Sequence, residues 1–271
     1  MLPPQSEDFR SRFAGIARLL GAEAFAKLAA ARVCLVGLGG VGSWTCEALA
    51  RSGICEMTLV DADTICATNT NRQLHALDGN FGRAKAEALA ARVRAINPAC
   101  RVRAVQIFLE CGNAADFFKK MAEGGNAVNF DLVIDAIDGA KNKAALIAAC
   151  VAAGTPVVSS GGCGGRRDGL RVERADLAEV QGDALLRVVR RELRARYGFA
   201  KGAAGTEKFG VPVVYSREEP HAPELSAEFL SAFPQIISPA GGKPRAGTAA
   251  FVTGAFGLAL AQLAVEKILE N

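Results

Sequence analysis

The chain has 271 residues, half of them apolar and 22% charged, and its 32 Lys and Arg against 28 Asp and Glu leave a formal net charge of +4. That length supplies the core of one large domain or two small ones, and excludes a peptide held by disulfides, a coiled coil and a disordered tail protein. With 29 glycines and only 6% aromatics, the composition favours close-packed helices on a sheet over an aromatic-rich β-sandwich.

Residues 7–31 read as a helical lead-in, with apolar side chains at Phe9, Phe13, Ile16, Leu19 and Leu20. A buried strand is expected over 32–37, then a glycine turn, then a helix over 43–52 that Gly53 ends. A strand over 57–61 ends in an acid, a polar loop fills 62–78, and a helix over 83–96 stops at Asn97-Pro98. Strands over 102–107, 132–136 and 156–159, with a helix over 141–153, complete an alternating series. Alternation with short connections predicts an α/β fold with a doubly wound, mostly parallel sheet. After Gly161 the run GGCGGRRDG reads as a basic, hairpin-like turn. A helix over 180–198, a mobile loop over 199–210, a short strand over 211–215, a loop-like stretch over 220–244 and a last apolar helix follow. With no repeat and no clean linker, 1–271 is one domain: a Rossmann-like nucleotide-binding half to about 160, then an elaborated substrate-binding and interface half.

Residues 246–265 carry no charge and match a membrane span in length. They lack an aromatic belt and a flanking basic cluster, so the expectation is a core or subunit-interface helix and no membrane association. The N-terminal MLPPQSEDFR has acids and no apolar core, unlike a signal peptide. Eight cysteines form no C-x-x-C pair, which argues for no zinc and for a reduced, cytoplasmic protein.

Gly37-Leu38-Gly39-Gly40-Val41-Gly42 follows a strand and opens a helix. Gly37 permits the tight turn, Gly39 and Gly40 let backbone approach a phosphate, and the helix N-terminus adds partial positive charge. Asp61 ends the next strand 24 residues after Gly37, where a carboxylate accepts ribose hydroxyls. Asp63, Asn69, Arg72 and Gln73 lie on the loop after it, and Lys85 opens the next helix. Arg72 and Lys85 put cations where a triphosphate projects, which disfavours an NAD-dependent dehydrogenase. Asp138 is a hard oxygen ligand suited to Mg2+. Each has a bland reading: Arg72 a surface ion pair, Lys85 a solvated helix residue, Asp138 a helix N-cap. Together they fit nucleotidyl transfer from ATP, with Arg72, Lys85 and Asp138 as the catalytic set. His75 can polarise a substrate carbonyl or bond a helix terminus. Cys163 invites a thioester reading, but its flanks Gly162 and Gly164 make it exposed and mobile at most, and no enzyme nucleophile is expected; His221 is the other histidine.

Residues 166–208 carry eleven Lys and Arg against seven Asp and Glu, the whole of the net charge. Arg187, Arg190, Arg191 and Arg194 share one helical face, and Arg166, Arg167 and Lys201 extend a track for an RNA backbone; a solvated helix face is the alternative.

GLGGVGS, Asp61, the N-x-x-R-Q run at Asn69–Gln73, Lys85 and Asp135-x-x-Asp138 resemble the adenylating enzymes related to ubiquitin-activating enzymes, the fold shared with molybdopterin and thiamin activators. Within them RFAGIARLLG, GVGSWTCEALARSGI, TNTNRQLHAL, GRAKAEALAARVRAINP, VIDAIDGAKNKAALIAAC and SSGGCGG are similar to the tRNA threonylcarbamoyladenosine dehydratases. The resemblance implies ATP phosphates at Gly39 and Gly40, its ribose at Asp61, the triphosphate at Asn69, Arg72 and Lys85, and the metal at Asp138. It also implies a homodimer, tRNA carrying threonylcarbamoyladenosine as substrate, and sulfur-transfer proteins as possible partners. Where the molybdopterin-type activators have R-Y-N-R, this chain has Arg12-Phe13-Ala14-Gly15, leaving Arg12 or Arg18 to reach the partner's phosphates. Two other readings stand beside it: adenylation of a sulfur carrier's C-terminus, and a nucleotide-binding adaptor without catalysis.

Overall fold

In the computed structural model, residues 6–117, 129–200, 207–233 and 246–270 are described. Two helices lead in, α1 (Glu7–Leu20) and α2 (Ala22–Ala30), broken at Gly21, where φ is +85°. Phe9 and Phe13 of α1 pack with Phe25 of α2 as a small aromatic cluster, ring centroids 4.7 and 6.0 Å from Phe9.

The central sheet has seven strands in the order β3-β2-β1-β4-β5-β7-β6. They are β1 (Arg32–Val36), β2 (Glu56–Val60), β3 (Arg101–Val105), β4 (Leu132–Asp135), β5 (Val157–Ser160), β6 (Glu173–Asp176) and β7 (Pro212–Tyr215). All neighbours are parallel except β6, which runs antiparallel to β7 at the edge. β1, β2, β4 and β5 are buried almost throughout, as strands covered on both faces must be. Strand order reverses at β1, where Val36 pairs with both Val60 and Asp135, so a crevice opens outside the carboxyl ends of β1 and β4.

The helices are α3 (Gly40–Arg51), α4 (Lys85–Ile96), α5 (Ala140–Ala152), α6 (Ala184–Arg196), α7 (Ala227–Ala232) and α8 (Ala250–Glu270). The expected alternation holds, with boundaries displaced by a few residues. The exceptions are α3, which begins at Gly40 within the glycine run; β6, absent from the sequence reading; and α7, inside a stretch expected as loop. The run after Gly161 is not a hairpin: Gly165 N donates to Gly247 O and its carbonyl accepts from His221 N, tying that turn to two later segments.

α8 is long and apolar enough to cross a membrane, yet more than half of it is buried. It lies along α3, and Gly257 makes the approach close: a Cβ there would stand 2.6 Å from both Trp44 Cβ and Val41 O. Thr45 Oγ1 donates to Gly257 O at 3.0 Å across the same contact. This is the core helix expected of residues 246–265.

Candidate nucleotide site and basic helix

The glycine run turns sharply out of β1. Gly37 has φ +87°, and a Cβ would lie 2.7 Å from Ala136 C and O, so conformation and space both demand glycine. A Cβ on Gly42 would fall inside the Gly37 carbonyl oxygen, so the elbow closes on the first turn of α3. Gly39 differs: the nearest atom to its Cβ would be Gln73 Nε2 at 3.8 Å. It is the N-cap of α3 and offers no side-chain cap, leaving the first-turn N–H groups for an anion.

The loop after β2 closes over this turn. Asp61 Oδ2 accepts from Leu38 N at 2.7 Å and Oδ1 from Asp63 N at 2.8 Å, fixing the carboxylate beside the elbow with lone pairs to spare. Asn69 is buried and its Oδ1 accepts from Cys66 N at 3.2 Å, capping a short 3-10 turn. Arg72 Cγ would be 3.4 Å from a Cβ on Gly40, so this arginine flanks the elbow. Its Nη1 donates to Thr68 O and Asn71 Oδ1, while its carbonyl accepts from Trp44 Nε1 at 3.1 Å. Arg72 is thus held by neutral acceptors, and among the described residues it forms no surface ion pair. Lys85 is buried, not solvated, and its Nζ meets the exposed Asp63 carboxylate at 2.7 Å. Asp138 is exposed just beyond β4; the N-cap of α5 is Gly139, which removes the capping role for Asp138.

Two buried side chains of this loop have no hydrogen-bond partner among the described residues: Gln73 at Oε1 and His75 at both ring nitrogens. His75 therefore does not bond a helix terminus. Burial, with the nearby Lys85 charge, lowers its pKa to about 4. Cys163 is buried where an exposed thiol was expected, and burial pushes its pKa up to about 12. A thiol so protonated at neutral pH is a poor nucleophile.

The basic helix is α6. Arg187, Arg190, Arg191 and Arg194 line a shallow cavity of about 510 Å³ with Ala195. The adjoining face buries Leu186, Val189 and Leu193. Arg190 Nη1 donates to Leu177 O at 3.3 Å and Arg194 Nε to Ala200 O at 2.9 Å, with the Arg194 guanidinium 5.5 Å over the Phe209 ring. Burial, and after it the Arg194 charge, lowers the Arg190 pKa. Arg166 does not belong to this track: it is buried and bonds Asp183 Oδ2 at 3.1 Å and Ser216 O at 3.0 Å. Asp183 also caps α6 through Leu186 N, so Arg166 braces the helix from inside. Arg167 is exposed, its N–H on Glu218. Lys201 lies outside the described residues.

The ThiF family model matches residues 11–271. The chain is 41% identical over 269 residues to the tRNA threonylcarbamoyladenosine dehydratase of Escherichia coli (strain K12), covering 97% of this chain and 96% of that protein. It is 38% identical over 265 residues to the Haemophilus influenzae protein of the same name, covering 98% and 96%. The crystal structure of the E. coli dehydratase in complex with ATP is similar with a TM-score of 0.82 at 40% identity, covering 98% of this chain and 96% of that one.

Proposed function

The chain belongs to the ThiF family, and from that premise we propose that it dehydrates N6-threonylcarbamoyladenosine in tRNA at the expense of ATP. The observation that carries the ATP half is the uncapped start of α3 behind Gly39, flanked by Arg72 and Lys85. A bound ATP lays its phosphates on those N–H groups, its ribose on Asp61, and draws Lys85 from Asp63 toward the negative charge.

The threonyl carboxylate of the modified adenosine is a poor acyl donor, because oxide is a poor leaving group. Attack of one carboxylate oxygen on the α-phosphorus breaks the bond to pyrophosphate and forms an acyl adenylate. The neighbouring carbamoyl group then closes onto the activated carbonyl and expels AMP. Both steps need positioned phosphates and no enzyme nucleophile, which agrees with the buried, protonated Cys163. Arg72 is the group placed to offset charge as pyrophosphate departs.

Asp138 is the residue for Mg2+. Among the described residues no cluster of three or more His, Cys, Asp or Glu forms a protein-only metal site. Asp138, an exposed carboxylate just beyond β4, is a hard oxygen donor of the kind Mg2+ takes. The ion would neutralise charge on the phosphates.

The RNA is read onto α6 through Arg187, Arg190, Arg191 and Arg194, with the exposed Arg167 as a further cation. Four arginines lining one shallow cavity offer a polyanion several phosphate contacts at once. A homodimer is read from the exposed Phe251 and Leu258, seven residues apart on α8, with Leu170 beside them at 96% exposure. In the dimer Arg12 or Arg18 would serve the partner's nucleotide. The eight free cysteines suit a reducing cytoplasm.

The test is release of AMP and pyrophosphate from ATP, with tRNA bearing the modification, tRNA lacking it, and a sulfur-carrier C-terminal peptide. Stimulation by modified tRNA alone is expected. Stimulation by the peptide instead, or ATP binding without turnover, would overturn the reading.

A further inference from the structure

The carboxyl ends of β4 and β5 hold a second ionisable cluster that the chemistry above leaves unused. Asp135, the last residue of β4, and Lys143, in the first turn of α5, have fully buried side chains, with Nζ 2.8 Å from Oδ2. Ser159 of β5 completes the group: its Oγ is 3.1 Å from Lys143 Nζ and donates to Asp135 Oδ2 at 2.7 Å. The other carboxylate oxygen, Oδ1, accepts from Ile137 N at 3.0 Å.

A buried ion pair is weak evidence of a stability role, because desolvation offsets most of its attraction. Its neighbours suggest what it does. Ala136 and Ile137 are the backbone against which the elbow rests: a Cβ on Gly37 would stand 2.7 Å from Ala136 C and 3.0 Å from Ile137 N. Asp138 is the next residue. Ser159, through β5, leads to the Gly161–Gly162 turn, where Gly162 N donates to Asp183 Oδ2 at 3.0 Å. One carboxylate, locked by an ammonium and a hydroxyl, thus sets the segment that abuts the phosphate elbow and carries Asp138.

We propose that Lys143 is a positioning residue for adenylyl transfer. Through Asp135 and Ser159 it holds residues 136–138, and with them Asp138, at the distance from the glycine elbow that attack on the α-phosphate requires. This rests on the ATP-dependent reading under Proposed function. The Lys143 side chain is fully buried, out of reach of ATP and RNA, so its loss falls on kcat and not on affinity. A group that fixes geometry acts where geometry is most demanding, and an ångström of misplacement is worth about 100-fold in rate.

Lys143→Met alone strands a buried carboxylate and threatens folding. The informative variant is therefore the pair Asp135→Asn with Lys143→Met, which removes both charges, beside the milder Ser159→Ala. Three quantities are measured on the full chain: thermal melting, ATP affinity by calorimetry, and pyrophosphate release with modified tRNA. The paired variant is expected to melt cooperatively, bind ATP within about threefold of the parent, and lose about 30- to 100-fold in kcat with KM for tRNA unchanged. Ser159→Ala loses about 3- to 10-fold in kcat with the same pattern. If the pair does not fold, Ser159→Ala decides by the same split between kcat and affinity. A folded variant whose kcat per folded molecule stays within about twofold overturns the assignment. A parent protein that shows no turnover sinks the functional reading instead.

Discussion

Replacing Gly39 with alanine separates the nucleotide site from the fold. Gly39 has φ −81° and ψ −144°, outside the left-handed region, and its Cβ would meet no atom nearer than 3.8 Å. Folding should lose no more than about 1 kcal/mol. The site is affected differently. The methyl projects about 1.5 Å from Cα into the space where first-turn N–H groups receive phosphate, and holding the phosphate off stretches contacts of about 2.9 Å beyond hydrogen-bonding range. A hydrogen bond to a charged group contributes about 1.5–3 kcal/mol, so losing one weakens ATP binding about 10- to 100-fold. Gly42→Ala is the contrast. Its Cβ would coincide with the Gly37 carbonyl, so the start of α3 must shift, and stability falls by about 1–3 kcal/mol or more along with binding. Calorimetric titration with ATP and thermal melting, run on both variants, read out the difference. Gly39→Ala binding ATP as the parent does, or melting as early as Gly42→Ala, would refute the reasoning.

Lys85→Met keeps the buried stem and removes the cation. It should cut kcat/KM for ATP by about 100- to 1000-fold while melting changes little, because the exposed Asp63 rehydrates; matched losses in both would count against Lys85 as a phosphate ligand. Arg187→Gln and Arg191→Gln should each flatten the salt dependence of tRNA affinity by about 0.7–0.9 in log–log slope, measured by filter binding, and an unchanged slope removes α6 from the RNA path. The His75 pKa of about 4 carries a signed pH dependence. Above pH ~6.5 the imidazole is neutral folded and unfolded; as pH falls from there toward 4 only the unfolded chain takes up the proton, so stability declines. The loss reaches at most about 3 kcal/mol, and His75→Leu should flatten that part of the denaturation profile. A parent profile with no decline over that window contradicts the buried neutral imidazole.

The alternation of apolar runs and glycine-ended helices made the parallel core legible, because buried parallel strands must be apolar on both faces. β6 escaped because Glu173-Arg174-Ala175-Asp176 is a polar edge strand defined by its pairing with β7 and not by its own pattern. The elbow was readable because only glycine meets its demands; Gly37 and Gly42 are set by neighbouring backbone and Gly39 by the open approach. Burial was not readable. Arg166 counts as one more cation in sequence, but Asp183, seventeen residues on, draws it inward. Lys85 likewise resembles a solvated helix residue until β2 and the loop beyond it fold over it. The unsatisfied Gln73 and His75 and the Asp135–Lys143–Ser159 group leave no mark in spacing, since each depends on which strands lie side by side. The Asp135-x-x-Asp138 spacing drew attention to the second acid, while the first organises the segment between them.

The most direct measurement is mass spectrometry of tRNA nucleosides after incubation with the protein and ATP. Conversion of threonylcarbamoyladenosine to a species lighter by one water, matched mole for mole by AMP and absent when ATP is replaced by an analogue with an uncleavable α–β linkage, is the predicted result. An unchanged nucleoside in the presence of bound and hydrolysed ATP would contradict the account.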